Sequence, residues 1–194
     1  KLFINFVAIM SLLTFDAVFG ANKSKFTSVK LNETEIHNCV SYMTKIFKRD
    51  QKLKGKALTN KSKYRDMFNL SCAITAISRV VNFQFMDYDD IHKSPMTQFR
   101  AFSGEYFDVI LFEHGKFPTF YYKMYKKAIF VCKMSETEFI VCGFGTPYVI
   151  NSFHSKSLII NQTIREQSTM SAFHGFEHLR TIPNNIYDFK NLTQ

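Results

Sequence analysis

Apolar side chains recur at helical spacing in the first third of the chain. Segment 31–47 opens with Asn32 and Glu35, which are spaced as a helix N-cap and its capping-box partner. The helical period of this segment places four apolar side chains on one face: Ile36, Val40, Met43 and Phe47. A second helix is predicted over 62–81, with a broad apolar side formed by Tyr64, Met67, Phe68, Cys72, Ile74, Ile77 and Val81.

From about residue 83 the pattern changes to short segments rich in Phe, Tyr, Val and Ile, which favour strands. The predicted strands are residues 83–88, 97–102, 105–114, 119–125, 127–134, 138–144, 148–153 and 157–161. Their short connections favour antiparallel pairing, because parallel neighbours need long crossovers. Residues 164–179 are again predicted to be helical, with Pro183 near the end. The sequence therefore predicts an α+β fold: two N-terminal helices, an antiparallel meander sheet that curls over them or closes into a barrel, and a C-terminal helix.

The first residues have the character of a secretory signal peptide. Lys1 supplies a positive start, an apolar run follows, and Val18 and Gly20 stand at −3 and −1 of the predicted cut. The apolar run is shorter than the roughly 20 residues that span a bilayer, and no longer run follows it. We therefore predict a signal peptide over 1–20, a single secreted, extracellular domain over 21–194, and no transmembrane segment.

N-glycosylation is the second indication of an extracellular protein. The chain has more Asn-x-Ser/Thr acceptors than the about two expected by chance. The acceptors are Asn22, Asn32, Asn60, Asn69, Asn161 and Asn191. Because Asn32 is also the predicted N-cap, a glycan is expected to compete with capping there.

The four cysteines all follow the predicted cut, and an even number in an oxidising compartment indicates two disulfides. Of the three pairings that four cysteines allow, Cys39–Cys72 and Cys132–Cys142 are preferred. The first would join the two predicted helices. The second would cross a hairpin centred near Thr137, in which the two cysteines face each other.

Positive charge is concentrated between the two predicted helices. Nine Lys or Arg and one acid lie within residues 45–65, which accounts for most of the net charge of +9. The segment is either a solvated connection or a docking surface for an acidic glycan, an anionic lipid or an acidic protein. The candidate partner-binding residues are Lys48, Arg49, Lys52, Lys54, Lys56, Lys61, Lys63 and Arg65. Because the chain is predicted to be secreted and no aromatic residue lies between Lys48 and Lys63, nucleic acid is not expected as a partner.

Two histidine patterns are candidates for chemistry. His174, Glu177 and His178 form the H-x-x-E-H pattern of inverted zinc peptidases, although Gly175 weakens a helix there and a third ligand is missing. Glu113 and His114 stand at a strand end, where such a pair can act in general acid–base catalysis. The plainer interpretation of His174 and His178 is a pair of exposed histidines on a terminal helix. That of Glu113 and His114 is a polar turn between two strands. The sequence assigns no catalytic residue, metal or cofactor.

Phenylalanine is unusually abundant, and 18 of the 22 follow the predicted cut. In a sheet-based domain these side chains fill a core or line a cavity for an apolar ligand. The leading hypothesis is a secreted, glycosylated, disulfide-containing binding or interaction protein without catalysis. It would carry a small apolar ligand or dock an acidic partner. The alternatives are a secreted hydrolase that uses His114 or the His174/His178 pair, and a structural secreted component.

Overall fold

The fold combines a pair of long helices with two sheets, which confirms the predicted α+β class. The computed structural model describes residues 14–54, 61–89, 98–100, 106–121 and 126–193. The helices are α1 (Phe15–Asn22), α2 (Glu33–Lys54), α3 (Lys61–Val81), α4 (Pro147–Ser152), α5 (Gln162–Gln167) and α6 (Ile186–Thr193). The strands are β1 (Thr27–Lys30), β2 (Gln98–Arg100), β3 (Tyr106–Glu113), β4 (Thr119–Tyr121), β5 (Ala128–Lys133), β6 (Glu138–Gly145), β7 (His154–Ser155) and β8 (Met170–Phe173).

The strands do not follow one another as a meander. The larger sheet has the order β1-β6-β5-β3-β2 and the smaller one β4-β8-β7. Strands β3 and β5 are parallel, because the chain leaves the larger sheet after β3 and adds β4 to the smaller sheet before it returns. Within the described residues neither sheet closes into a barrel.

Helices α2 and α3 cover one face of the larger sheet. The capping box forms as predicted: the amide of Glu35 donates to Asn32 Oδ1 at 2.9 Å, and the amide of Asn32 donates to Glu35 Oε2 at 2.8 Å. The Arg79 guanidinium also binds the Glu35 carboxylate at 3.1 Å, which ties the start of α2 to the end of α3. The buried face of α2 is rotated from the predicted one, since Val40 is exposed. The buried side chains are Cys39, Tyr42, Met43 and Ile46.

An aromatic layer covers the other face of the larger sheet. It contains the buried Phe112, Phe117 and Phe176, and α1 adds Phe15 and Phe19 from the N-terminal side. The Phe15 and Phe19 rings pack edge-on against Phe176 at centroid distances of 6.4 and 5.5 Å. Part of the segment predicted as a signal peptide is thus an element of this core. Residues 1–13 lie outside the described residues.

The last third of the chain differs most from the sequence prediction. Of the predicted strand 148–153, residues 148–152 belong to helix α4 and Phe153 is its C-cap, because Thr146 caps a helix with Pro147 in its first turn. The predicted strand 157–161 begins in a 3-10 turn, and 83–88 has no regular strand. The predicted helix over 164–179 is replaced by α5, strand β8 and a 3-10 turn, with the last helix α6 beyond Pro183. Among the described helices, none has the length and apolarity required to cross a membrane.

Candidate functional site

An apolar pocket opens beside the end of β3. Its volume is about 520 Å³. Side chains from β3, from the turn before β4, from the segment before α5 and from α5 itself line its apolar wall: Leu111, Phe112, Phe117, Leu158, Ile160 and Ile164. Ile160 is 74% exposed and Ile164 38% exposed, so apolar surface remains open to solvent at the mouth. Exposed apolar residues grouped at one concave site favour a ligand or partner there.

The rim of the apolar pocket is polar. The Lys116 ammonium donates to the Glu113 carboxylate at 2.5 Å, and this hydrogen bond lowers the pKa of Glu113. Asn161, on the opposite side, caps α5 by accepting a hydrogen bond from the Ile164 amide at 3.0 Å. Since the ion pair is exposed, it contributes little to stability but gives the mouth a polar edge.

Below the apolar pocket, Phe112 and Phe117 continue into the aromatic layer that contacts α1. The Phe15 ring lies 6.3 Å from Phe112 and 5.5 Å from Phe117. Helix α1 therefore occupies a slot that shares two of its wall residues with the pocket. Removal of α1 would expose the sides of Phe112 and Phe117 that now pack against Phe15.

A second site, the thiol site, lies between α2 and α3 and consists of Cys39, Cys72, Thr75 and Tyr88. Both cysteines are completely buried and hold free thiols. Thr75 Oγ1 lies 3.3 Å from Cys39 Sγ and 2.7 Å from the Tyr88 hydroxyl oxygen. A polar cavity of about 410 Å³ borders the site at Thr75 and Tyr88, with Arg79 in its wall. The predicted Cys39–Cys72 disulfide is not formed here, since both cysteines hold free thiols.

The register of the β5–β6 hairpin is shifted from the predicted one. Cys132 stands opposite Ile140, so Cys142 is its diagonal neighbour and not its direct partner. Directly opposed residues are closest across antiparallel strands, whereas diagonal neighbours are further apart. Both thiols are free and belong to the aromatic layer, where burial raises the pKa of each, that of Cys132 to about 12. The expectation that Cys132 and Cys142 face each other directly was wrong.

Helices α2 and α3 contact each other at the two ends of the basic connection, which is defined as residues 45–65. The rings of Phe47 and Tyr64 pack at 5.0 Å, which sets Lys48 beside the start of α3. The side chains of Lys48, Lys63 and Arg65 are exposed, and Arg49 is half-buried. The backbone positions of Lys52, Lys54 and Lys61 are helical, but their side chains fall outside the described set, as does the whole of Lys56.

The acceptor asparagines differ in their surroundings. Asn32, Asn161 and Asn191 are exposed, and Asn60 lies outside the described residues. Asn22 is buried and donates its side-chain amide to the Val18 carbonyl at 3.0 Å, while the half-buried Asn69 accepts from Lys133 Nζ at 3.0 Å. An N-linked glycan is attached through the amide nitrogen, so burial at Asn22 opposes a glycan in this arrangement.

At Asn32 the helix cap uses the side-chain oxygen, and a glycan would be attached to the side-chain nitrogen. The capping bond uses Oδ1 of Asn32, which accepts from the Glu35 amide. The nitrogen that would carry the sugar is not engaged by this bond. The exposed Asn161 has the same arrangement at the start of α5.

In the described part of the chain, His174 and His178 are not arranged as a catalytic site. Residues 176–178 form a 3-10 turn, so His174 and His178 do not share a helical face. The His178 ring instead stacks on Phe153 with centroids 3.8 Å apart, and His174 approaches the same ring edge-on at 6.5 Å. The described residues contain no group of three or more His, Cys, Asp or Glu placed to hold a metal ion.

In the other histidine pattern, Glu113 and His114, the acid is engaged elsewhere. The Glu113 carboxylate is engaged by Lys116, and the exposed His114 packs edge-on against Phe15 at 5.3 Å. One contact that the sequence analysis missed is a hydrogen bond of 2.8 Å between His154 Nδ1 and Ser171 Oγ. Ser171 is buried within β8, so its hydroxyl is closed to a substrate. Because the two residues are 17 positions apart and carry no motif, only the pairing of β7 with β8 reveals them.

Comparison with known proteins identifies no family for this chain. No protein-family model matches the chain, and no curated protein or solved structure matches it either.

Proposed function

We propose that the protein is a secreted binding protein that carries a small apolar ligand in the apolar pocket. The observation that carries this proposal is the exposure of Ile160 and Ile164 at the mouth of a concave, apolar wall. Isolated apolar residues on a surface are ordinary, but several that converge on one cavity favour a ligand.

The composition of the pocket supports binding rather than catalysis. In the described part of the chain its lining residues include no serine, cysteine or histidine, and its only carboxylate is bound by Lys116. Serine, cysteine and histidine are common nucleophiles and acid–base groups, and the Glu113 and Lys116 side chains of the lining bind each other. The polar rim then serves to orient a ligand.

The dimensions of the pocket define the class of ligand. A cavity of about 520 Å³ is within the usual range for small-molecule sites. Its wall is aliphatic and aromatic, whereas Glu113, Lys116 and Asn161 stand at the edge. A compact hydrocarbon body with one uncharged polar end matches this distribution, because a net charge would meet an ion pair that is already neutral overall.

Export enlarges the site in this proposal. A cut before Ala21 removes Phe15 and Phe19 from the aromatic layer. The slot they leave is bounded by Phe112, Phe117 and Phe176, and the first two also form the pocket wall. The mature protein would then have a deeper apolar site than the unprocessed chain.

The basic connection is a second candidate binding surface. Lys48 on α2 and Lys63 and Arg65 on α3 are exposed at the same end of the helix pair, which the Phe47–Tyr64 contact holds together. Charges clustered on a rigid end create a positive potential that attracts an acidic glycan, an anionic lipid or an acidic protein. This surface is remote in sequence from the apolar pocket and can act with it.

Ligand carriage is tested with a neutral, environment-sensitive apolar dye. Ile160→Glu places a charge at the mouth and should weaken dye binding by roughly tenfold or more, because the carboxylate is desolvated when the ligand enters. Tyr187→Glu is the matched control, since Tyr187 is 75% exposed but lies on α6, away from the pocket. Equal dye affinity for the parent and both variants would remove the pocket as the ligand site. Native mass spectrometry of the purified protein then identifies a carried ligand by its mass.

A further inference from the structure

We propose that the polar cavity beside Thr75 binds a neutral, polyhydroxyl molecule of the size of one sugar ring. The cavity lies where the start of α2 meets the end of α3, and the segment that follows α3 completes its wall. Among the described residues it shares no lining residue with the apolar pocket. The inference therefore does not depend on the proposed carriage of an apolar ligand.

The segment after α3 is turned back by the left-handed conformation of Asn82, whose φ is 52°. The Phe83 amide donates to the Ser78 carbonyl at 3.0 Å, which is the Schellman arrangement that ends many helices. Asparagine is one of the few residues that accept this conformation at low cost. The Phe85 amide then donates to Ser78 Oγ at 3.2 Å, so the segment is held against the last turn of α3.

Two further contacts fix the shape of the cavity. The Tyr88 hydroxyl oxygen lies 2.7 Å from Thr75 Oγ1, which ties the far end of the segment to α3. Between the helices, Arg79 Nη1 donates to both carboxylate oxygens of Glu35 at 3.1 Å. The walls are thus in place before a ligand enters, and binding does not have to order them.

The amide side chains of the cavity retain hydrogen-bonding capacity. In the part of the chain that the structure describes, no hydrogen bond engages the side-chain amides of Asn38 and Asn82. Gln84 uses its amide nitrogen to donate to the Met86 carbonyl at 2.8 Å, and its oxygen remains an acceptor. An amide both donates and accepts, as the hydroxyl groups of a sugar do, so the two kinds of group complement each other.

The cavity is polar from its buried end to its rim. Thr75 is only 4% exposed, Asn38 is half-buried and Gln84 is exposed. Because Thr75 donates to the Ser71 carbonyl at 2.9 Å, the Tyr88 hydroxyl is the donor in the bond between Thr75 and Tyr88. The Tyr88 oxygen therefore keeps its lone pairs and can accept from a ligand. A ligand that enters the cavity is offered polar partners along its whole depth.

The charges of the cavity favour a ligand without net charge. Glu35 and Arg79 are the charged residues of the described lining, and they bind each other at 3.1 Å. A charged ligand would lose its hydration without gaining a counter-charge that is not already paired. This excludes anions and cations as the preferred class and leaves neutral polar molecules.

The aromatic residues and the volume narrow the class further. Phe83 and Tyr88 contribute ring surface to the lining, and the C–H face of a sugar ring packs on such a surface while its hydroxyl groups point outward. The volume of about 410 Å³ is at the lower end of the range for small-molecule sites. A single monosaccharide unit matches both the size and the mixture of amide and aromatic groups.

The test titrates the full chain with the methyl glycosides of glucose, galactose and mannose at millimolar concentrations and follows the amide resonances by NMR. Binding should shift the side-chain amide resonances of Asn38, Asn82 and Gln84, whereas the backbone resonance of Ile160 in the apolar pocket should stay in place. Oxan-2-ylmethanol, a ring analogue with one hydroxyl, should bind roughly tenfold or more weakly, because it leaves polar groups of the cavity without partners.

Substitution of Asn82 removes a ligand contact without disturbing the turn. Asn82→Gly should weaken glycoside binding by roughly three- to tenfold, since one or two hydrogen bonds are lost while glycine accepts the left-handed conformation. Asn38→Leu tests the α2 side in the same way and keeps the shape of the side chain. Asn184→Ala is the matched control, because Asn184 is exposed and does not line the cavity. Circular dichroism verifies that the variants are folded.

The inference predicts that a neutral glycoside shifts the cavity resonances and that the two cavity variants weaken it. It is overturned if none of the glycosides shifts these resonances, or if Asn82→Gly and Asn38→Leu bind them as well as Asn184→Ala does. Tighter binding of glucuronate than of the neutral glycosides also overturns it, because the cavity would then select an anion. Binding of the apolar dye is expected to be the same in all three variants, which separates this site from the apolar pocket.

Discussion

The ring of His178 lies flat on the ring of Phe153, with centroids 3.8 Å apart and an interplanar angle of 20°. This stack packs the turn after β8 against the end of α4. The histidines of the H-x-x-E-H pattern therefore contribute to packing. Gly175 lies between them and passes so close to Phe153 that a Cβ atom would stand 2.4 Å from the Phe153 Cβ.

Gly175→Ala should therefore destabilise the protein by about 1–3 kcal/mol, because the added methyl overlaps a packed ring. Urea unfolding measures the change. In the chain that retains α1, Gly20→Ala is the control, since a Cβ there meets nothing within 4 Å and an alanine favours helix α1. A Gly175→Ala protein as stable as the parent would show that the turn relaxes away from Phe153.

The packing of α1 predicts a large effect at Phe19. In the chain that retains α1, Phe19→Ala should cost about 3–5 kcal/mol, because a fully packed ring is replaced by a cavity. Val18→Ala, at a half-buried position on the same helix, should cost less.

A chain that begins at Ala21 should bind the apolar dye more strongly than the longer chain. Equal binding by the two chains would contradict the proposal that α1 fills a slot beside the pocket.

Asn32 allows capping and glycosylation to be separated. Asn32→Ala removes both the cap and the acceptor and should cost about 1 kcal/mol in urea unfolding. Asn32→Asp removes the acceptor but keeps an oxygen that caps the Glu35 amide, so its stability should stay near that of the unglycosylated parent. Expression through a secretory route, followed by mass analysis, then reports whether the parent carries a glycan that both variants lack.

The burial of His174 predicts a dependence of stability on pH. Desolvation lowers the pKa of His174 below its ordinary value of 6.5, so the unfolded chain takes up this proton at a higher pH than the folded one. The contribution is present above about pH 6.5 and is lost as the pH falls from there through the folded pKa. His174→Gln should flatten this part of the stability profile, whereas His37→Gln, at an exposed position, should reproduce the parent profile.

Charge reversal tests the basic connection. Replacing Lys48, Lys63 and Arg65 by Glu should strongly weaken salt-dependent retention on a heparin column, because the substitutions lower the charge of residues 45–65 from +8 to +2. The same number of reversals at the exposed Lys23, Lys25 and Lys30 is the control for net charge. If both triple variants elute alike, retention reflects total charge and the docking surface is not there.

Several elements were predictable because their signals are local. The capping box of α2 involves residues three apart, and the apolar runs of β3, β5 and β6 have strand composition within each segment. Helix α4 was predicted as a strand because Tyr148, Val149 and Ile150 favour strands, whereas the Thr146 cap and Pro147 override that preference. Strand β1 is short, and it depends on pairing with β6, in which Val29 stands opposite Phe139.

The sequence by itself determined the α+β class, the pair of long helices and the concentration of charge between them, since periodicity and composition depend on near neighbours. Tertiary structure alone decided that β3 lies parallel to β5, that Phe112 and Phe117 connect the apolar pocket to the slot of α1, and that Thr75 bridges Cys39 and Tyr88. These contacts join residues far apart in the chain, and their geometry depends on how whole layers pack. No local sequence pattern encodes that geometry.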